Sequence, residues 1–292
     1  MHQLIKNAFT LIELLVVIAI IGILSGLIVV TMNGVTAKAN IAKSQVFSNS
    51  LRNALMLNLV SEWNFDGSGK NDGEVADASY VQDIWAGNNG TISGTPLVRK
   101  GNNCISGSCL EFNGSTDYLS TTSTITLSPT TGYSVSFWAN LQAKSVEGSM
   151  PIGDLLSQTK SYIWFYNSGT TIKITGTGEV TIVSGTVPNV YNGWNYWTFT
   201  YSGSTAYLYR NASIVLTNLS APSLVFGISR IGMAYSSSYV TKGKLDDMRV
   251  FSSSVPTSYI RDQYYSGLNS LLGTGQIDEN EYFQKIFLLA SK

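Results

Sequence analysis

The sequence predicts an α+β protein in which one long N-terminal α-helix is followed by an antiparallel β-sandwich. Three observations carry this. Leu14 to Val30 contains no charged side chain and a single hydroxyl, Ser25. Ala37 to Val60 contains neither Gly nor Pro, and Phe47, Leu51, Ala54, Leu55 and Leu59 recur at spacings of three and four, which makes one apolar stripe on a helix. From Ser61 the period shortens to two, and alternating runs are separated by Gly, Asn, Ser and Pro clusters, the pattern of strands and turns.

The helix comes first. Residues 1–8 are a short polar leader carrying Lys6. The apolar run that begins at Phe9 exceeds a secretory signal core of about 7–15 residues and approaches the roughly 20 residues that cross a bilayer. Glu13 lies inside this run. A carboxylate in an apolar helix costs about 2.5–3.5 kcal/mol on insertion scales, so its presence points to a function. A helix from Phe9 to Val60 would extend roughly 78 Å at about 1.5 Å per residue. Gly22, Gly26 and Gly34 each weaken it by about 1 kcal/mol relative to Ala, and small residues let helices pack closely in a membrane.

Ala8-Phe9-Thr10-Leu11-Ile12-Glu13 resembles the processing site of type IV prepilins and pseudopilins. The resemblance implies that a membrane peptidase cleaves between Ala8 and Phe9, that the new Phe9 terminus is N-methylated, and that Glu13 is the retained carboxylate. Ala8 stands where that family usually has Gly. A neighbouring subunit's Phe9 amine, paired with Glu13, would offset the cost of both charges in the membrane and set the register of the two helices.

Beyond Ser61, Ser134-Val135-Ser136-Phe137-Trp138 and Trp197-Thr198-Phe199-Thr200-Tyr201 alternate as strands, with turns at Ser202-Gly203-Ser204 and Arg210-Asn211-Ala212. Six segments in order resemble the laminin-G-like jelly roll of the concanavalin A-like lectin and glucanase superfamily. They are Glu62 to Gly67, Ala76 to Ser79, Gly87 to Thr91, Leu110 to Leu119, Tyr133 to Trp138 and Gly243 to Phe251. That family's hairpin turn usually ends in Gly, and Ala212 implies a different turn type here. Cys104 and Cys109 bracket Ile-Ser-Gly-Ser, a spacing that suits a disulfide across a tight hairpin.

Composition removes several function classes. The 18 basic residues balance 18 acidic ones, so there is no surplus for neutralising nucleic-acid phosphates. The one histidine is His2, which leaves no Ser-His-Asp or Cys-His arrangement, and two cysteines cannot make a four-cysteine metal site. The hydroxyl-rich, weakly charged remainder reads as a secreted β-protein. Glycoside hydrolysis by the superfamily's retaining enzymes needs closely spaced carboxylates on one strand, and no Glu-x-Asp-x-x-Glu run exists here. The expectation is therefore no enzyme.

Two ligand classes remain. The jelly-roll resemblance implies a calcium ion held by Asp66, Asp77 and Asp246, with Asp247 as the alternative to Asp246; calcium takes six to eight oxygens. Trp85, Trp164, Trp194, Tyr235 and Tyr239 are candidates for stacking on sugar rings. At the end of the chain, Asp278-Glu279-Asn280-Glu281 can cap a short helix bearing Tyr282, Phe283, Ile286, Phe287 and Leu288.

The expected organisation is a leader at 1–8, a membrane and assembly helix at 9–60, a sandwich at 61–268 and a helical tail at 269–292. The expected function is a structural subunit of a type IV pilus-like filament that polymerises with copies of itself. Its partners would be the prepilin peptidase, the inner-membrane assembly machinery, the membrane before assembly, and glycans. A minor pilin that binds glycans as an adhesin and a type II secretion pseudopilin are the alternatives. The precursor would sit in the inner membrane and the product on the cell surface.

Overall fold

The computed structural model describes residues 11–23, 56–144, 148–154, 160–166, 170–191, 193–234 and 237–290. The chain divides into two compact units, Met1–Asn53 and Ala54–Lys292. In the first, residues 11–23 form helix α1. Ala8 and Phe9, and the helical stripe from Phe47 to Leu55, lie outside the described residues.

The second unit is built of strands β1 (Leu59–Trp63), β2 (Gly90–Ser93), β3 (Leu97–Lys100), β4 (Ser108–Asn113) and β5 (Tyr118–Leu127). There follow β6 (Tyr133–Leu141), β7 (Ser149–Gly153), β8 (Tyr162–Tyr166), β9 (Thr171–Thr175) and β10 (Thr181–Thr186). The last are β11 (Asn195–Ser202), β12 (Thr205–Arg210), β13 (Ser213–Asn218), β14 (Phe226–Ile231) and β15 (Lys242–Phe251), before helices α2 (Thr257–Gly273) and α3 (Glu279–Ala290). Sheet A runs β13-β12-β11-β6-β15-β4-β3, with β1 also paired to β15, and sheet B runs β10-β9-β8-β7-β14-β5-β2. The pairings are antiparallel, as expected of a jelly-roll sandwich.

Alternation along the strands creates the core between the sheets. Val135, Phe137, Ala139 and Leu141 of β6 point inward beside Trp197 and Phe199 of β11, and meet Ile163 and Phe165 of β8. Phe165 packs edge-on against Trp197 at 5.0 Å. The opposite face of sheet A is also covered. Trp138, Tyr196 and Phe251 pack there with Tyr259, Ile260, Tyr264 and Leu268 of α2 in a second apolar cluster. β6 is therefore buried on both sides, although its sequence alternates Ser with larger residues.

The structure shifts three expected features. The helical stripe was expected to run to Val60, but Leu59 and Val60 already belong to β1. There Leu59 pairs with Phe251 and is buried under α2, which outweighs its helical spacing. The helical tail was expected from 269, but it begins at Thr257; Tyr259, Ile260, Tyr264, Leu268 and Leu271 are its buried face. Finally, Asn211 and Ala212 both take positive φ, 52° and 60°, between Arg210 and Ser213. This is the ordinary two-residue hairpin turn with Ala in a position that favours Gly, so the loss of Gly did not change the turn type.

Two local features fix the helices. Asp278 Oδ1 accepts the Glu281 amide at 2.7 Å, so the acidic run caps α3 as expected. A Cβ at Gly267 would overlap Trp138 Cζ2, so the α2 backbone rests directly on the indole edge.

Candidate functional site

Helix α1 carries one charge, Glu13, among apolar residues that are exposed all round. Leu11, Ile12, Leu14, Leu15, Val16, Val17, Ile18, Ile20, Ile21 and Ile23 are between 46% and 82% exposed. A helix apolar on every side is suited to lipid or to other helices, not to a sheet or to water. Among the described residues no helix is long and apolar enough to cross a membrane. The apolar run continues through residues 24–30, which lie outside them.

The acidic candidates divide. Asp77 is a turn residue: its Oδ1 accepts the Ser79 amide at 2.9 Å and the Ser79 hydroxyl at 2.6 Å, and Lys70 lies 3.7 Å from its Oδ2. Asp66, Asp246 and Asp247 come together beside the Cys104–Cys109 disulfide, which is formed as expected. Asp246 is fully buried; its Oδ2 accepts the Ile105 amide at 2.9 Å and the Ser106 amide at 3.3 Å, and its Oδ1 accepts the Asp247 amide. Asp66 Oδ1 accepts the Ser108 amide at 2.6 Å. A Cβ at Gly107, which has φ 47°, would overlap Asp66 Oδ1, so Gly is required at this close approach.

The electrostatics follow from burial. Burial, then repulsion from Asp247 and more weakly from Asp66, pushes the Asp246 carboxyl well above the ordinary carboxylate range. Burial also raises Asp66 and Asp247, against the pull of the Ser108 amide and of Arg249 respectively. Burial alone would lower Arg249, but Asp247 and Glu62 hold its guanidinium firmly protonated, at 3.5 Å and 2.7 Å. Asp247 sits at φ 45° in a bulge where β15 gains one residue on β6.

The calcium candidates already have partners within the fold. Asp77 is committed to its own turn, both oxygens of Asp246 accept backbone amides, and Asp247 has Arg249 as its cation. The sulfurs of Cys104 and Cys109 and an oxygen of Asp246 lie within 4.8 Å of one another, but the sulfurs are bonded to each other and offer no thiolate. The cluster anchors the disulfide loop to β15.

The aromatic candidates also divide. On β8, Ile163 and Phe165 face the core, so Tyr162, Trp164 and Tyr166 share the outer face of sheet B. Trp164 stacks on Tyr166 at 4.2 Å, and Tyr239 meets it edge-on at 5.5 Å, with Met150, Tyr162 and Ala234 alongside. Lys173 is the cross-strand neighbour of Trp164. Trp164, Tyr166 and Tyr239 remain partly exposed. Trp85 is 46% exposed in a separate turn, held where Asp83 accepts the amides of Glu62, Trp85, Ala86 and Asn88. Trp194 lines a cavity under α2 and α3. Tyr235 lies outside the described residues. Sequence reading missed Tyr162 and Tyr166, although the alternation of aromatics through Tyr162-Ile163-Trp164-Phe165-Tyr166 placed them on the face of Trp164.

Residues 113–261 match the family model described as the concanavalin A-like lectin/glucanases superfamily. Residues 5–29 match the prokaryotic N-terminal methylation motif. No curated protein matches the chain in sequence. Among solved structures, the binding domain of Paraclostridial Mosquitocidal Protein 1 is similar at TM-score 0.53 and 11% identity, over 74% of this chain and 53% of that one. The botulinum neurotoxin serotype C1 binding domain is similar at TM-score 0.50 and 13% identity, over 73% and 53%. Domain 4 of an extracellular GH43 arabinanase from Geobacillus stearothermophilus, solved with arabinotriose, aligns at TM-score 0.49 and 16% identity over 70% and 97%. The chain spans about half the length of the two toxin domains, and at these identities the likeness is one of fold.

Proposed function

The chain belongs to the concanavalin A-like lectin/glucanases superfamily, and from that premise we propose that it is a structural subunit of a type IV pilus-like surface filament. Its methylation motif and its sandwich make it a pilin-like surface protein with a carbohydrate-binding-type domain. In the proposed filament, cleavage between Ala8 and Phe9 frees a terminal amine, the N-terminal helices bundle, and the sandwich is displayed outward. Its work is assembly and binding, not catalysis.

The observation that carries this reading is α1, a helix with exposed apolar residues on every side and Glu13 as its one charge. In a bundle of such helices, Glu13 would pair with the Phe9 amine of a neighbour, because a lone charge there is expensive. The test is Glu13→Ala. The leader should still be removed, as read by the mass of the mature N-terminus. The yield of sheared surface filaments should fall about tenfold or more, since the pairing charge is gone. Normal yield contradicts the proposal.

A second reading, a minor pilin acting as an adhesin, is supported by the aromatic face around Trp164. Three partly exposed rings, Trp164 and Tyr166 on β8 with Tyr239 beside them, are a surface on which sugar rings stack. Low abundance of the chain in sheared filaments, together with glycan binding by the chain, would favour it over a major subunit. A secretion pseudopilin would instead form only short filaments.

A further inference from the structure

Between the outer face of sheet A and the two C-terminal helices lies a cavity of about 420 Å³. That is within the roughly 300–1,000 Å³ of small-molecule sites. Tyr264 and all of α3 lie beyond the 113–261 segment that carries the family match, so this cavity is built largely by an addition to the sandwich.

Its lining is chemically mixed. Trp138 and Tyr264 stack on each other at 5.7 Å, and Trp138 is also pressed by Gly267, so both rings already serve packing. Trp194 differs. It packs against the same apolar cluster, but it is only partly buried, makes no ring contact among the described residues, and lines the cavity with the rest of its indole.

The polar groups point to the ligand's chemistry. Asn102 and Asn140 line the cavity, and their carboxamides make no hydrogen bond among the described residues. Gln276 spends its Nε2 on the Cys104 carbonyl at 2.6 Å and on Thr274, which leaves its Oε1 as an acceptor. Glu281 and Lys285, also in the lining, pair at 3.4 Å and cancel each other. A charged ligand would find no counter-charge, and an apolar one would leave the carboxamides unmet. A hydroxyl is both donor and acceptor, as a carboxamide is, and a pyranose presents a C–H face to an indole.

We propose that this cavity binds a neutral mono- or disaccharide, stacked on Trp194 and held by the carboxamides of Asn102, Asn140 and Gln276. The assignment rests on reading the sandwich as a carbohydrate-binding-type domain, but it places the sugar away from the Trp164 face. The experiment is a glycan array probed with the full chain in a sugar-free detergent, then titration of the strongest neutral mono- or disaccharide hit. Wild type is compared with Trp194→Ala, Asn140→Ala and Trp164→Ala.

Trp194→Ala should weaken binding about tenfold or more, and Asn140→Ala about threefold or more, with Trp164→Ala within about twofold of wild type. Asn140→Ala guards against misfolding, because its amide holds nothing in the fold; unchanged affinity in that variant overturns the assignment. Binding lost in Trp164→Ala and kept in Trp194→Ala overturns the cavity but leaves the domain a glycan binder. A wild type that retains no glycan overturns both.

Discussion

On the outer face of sheet A, Trp138, Tyr196 and Tyr209 lie beneath the C-terminal helices and are almost wholly buried. On the outer face of sheet B, Trp164 and Tyr166 stay partly exposed, with Tyr239 of a short 3-10 turn beside them and no described α-helix over them. The strands bearing these rings share the same two-residue alternation of inward and outward side chains. What separates the two faces is the segment after Pro256, which brings a helix to one of them. An aromatic residue on a sandwich strand is therefore a core residue or a contact residue according to what the rest of the chain lays over it.

The comparison breaks most sharply on Trp138. Trp138→Ala should destabilise the second unit by about 3–5 kcal/mol, the cost of emptying a well-packed indole site, as read by denaturant unfolding of the full chain. A loss below about 1 kcal/mol would mean that α2 does not seal sheet A.

The disulfide comes next. Replacing Cys104 and Cys109 together by Ser should cost about 2 kcal/mol, the loop-closure value for a short ring. A loss near that figure assigns the bridge an ordinary part in the fold. A larger one would show that the loop held by Asp246 depends on it.

The pH dependence is smaller and its sign is definite. Asp246, Asp66 and Asp247 have folded-state pKa values above the unfolded value, so the fold holds protons that the unfolded chain releases. Their contribution is fully present when they are protonated and declines as pH rises through the folded pKa values. Asp83 works the other way: although burial opposes it, four backbone amides depress its pKa, and its contribution is lost as pH falls below the ordinary carboxylate range. The melting temperature should therefore rise on going from about pH 8 to about pH 5 and fall at stronger acid. A melting temperature that climbs steadily with pH across this range would contradict the acidic cluster as described.

The smallest stability effect belongs to the open face. Trp164→Ala should cost less than about 1 kcal/mol, since a partly exposed ring gives up little burial. Equal losses at Trp138 and Trp164 would erase the difference between the faces.

Much of this was legible in the sequence, for reasons that can be named. The passage from helix to strand close to Ser61, the strands at Ser134–Trp138 and Trp197–Tyr201, the cap at Asp278 and the cysteine pair are local patterns, and each is present in the structure, the first of them two residues early. What failed depended on partners distant along the chain. Leu59 fits a helical stripe until β15 offers it an edge to pair with. The apolar face of α2 is spread among Ser, Asn and Gln residues, and its meaning emerges only against Trp138. Asp66, Asp77 and Asp246, with Asp247 as the alternative to Asp246, looked like one set by motif, but Asp246 is surrounded by amides from a loop about 140 residues away in sequence, whereas Asp77 caps its own turn. Ala212 stays in a left-handed turn because the strands on either side fix the two-residue loop.

Assembly into a filament is tested most directly by imaging filaments sheared from cells that produce the chain, with subunits identified by mass spectrometry. Filaments are expected in which a mature subunit beginning at methylated Phe9 forms a core of bundled helices ringed by β-sandwiches. Surface filaments that lack the chain, or a chain that keeps residues 1–8 and never enters a filament, would contradict it.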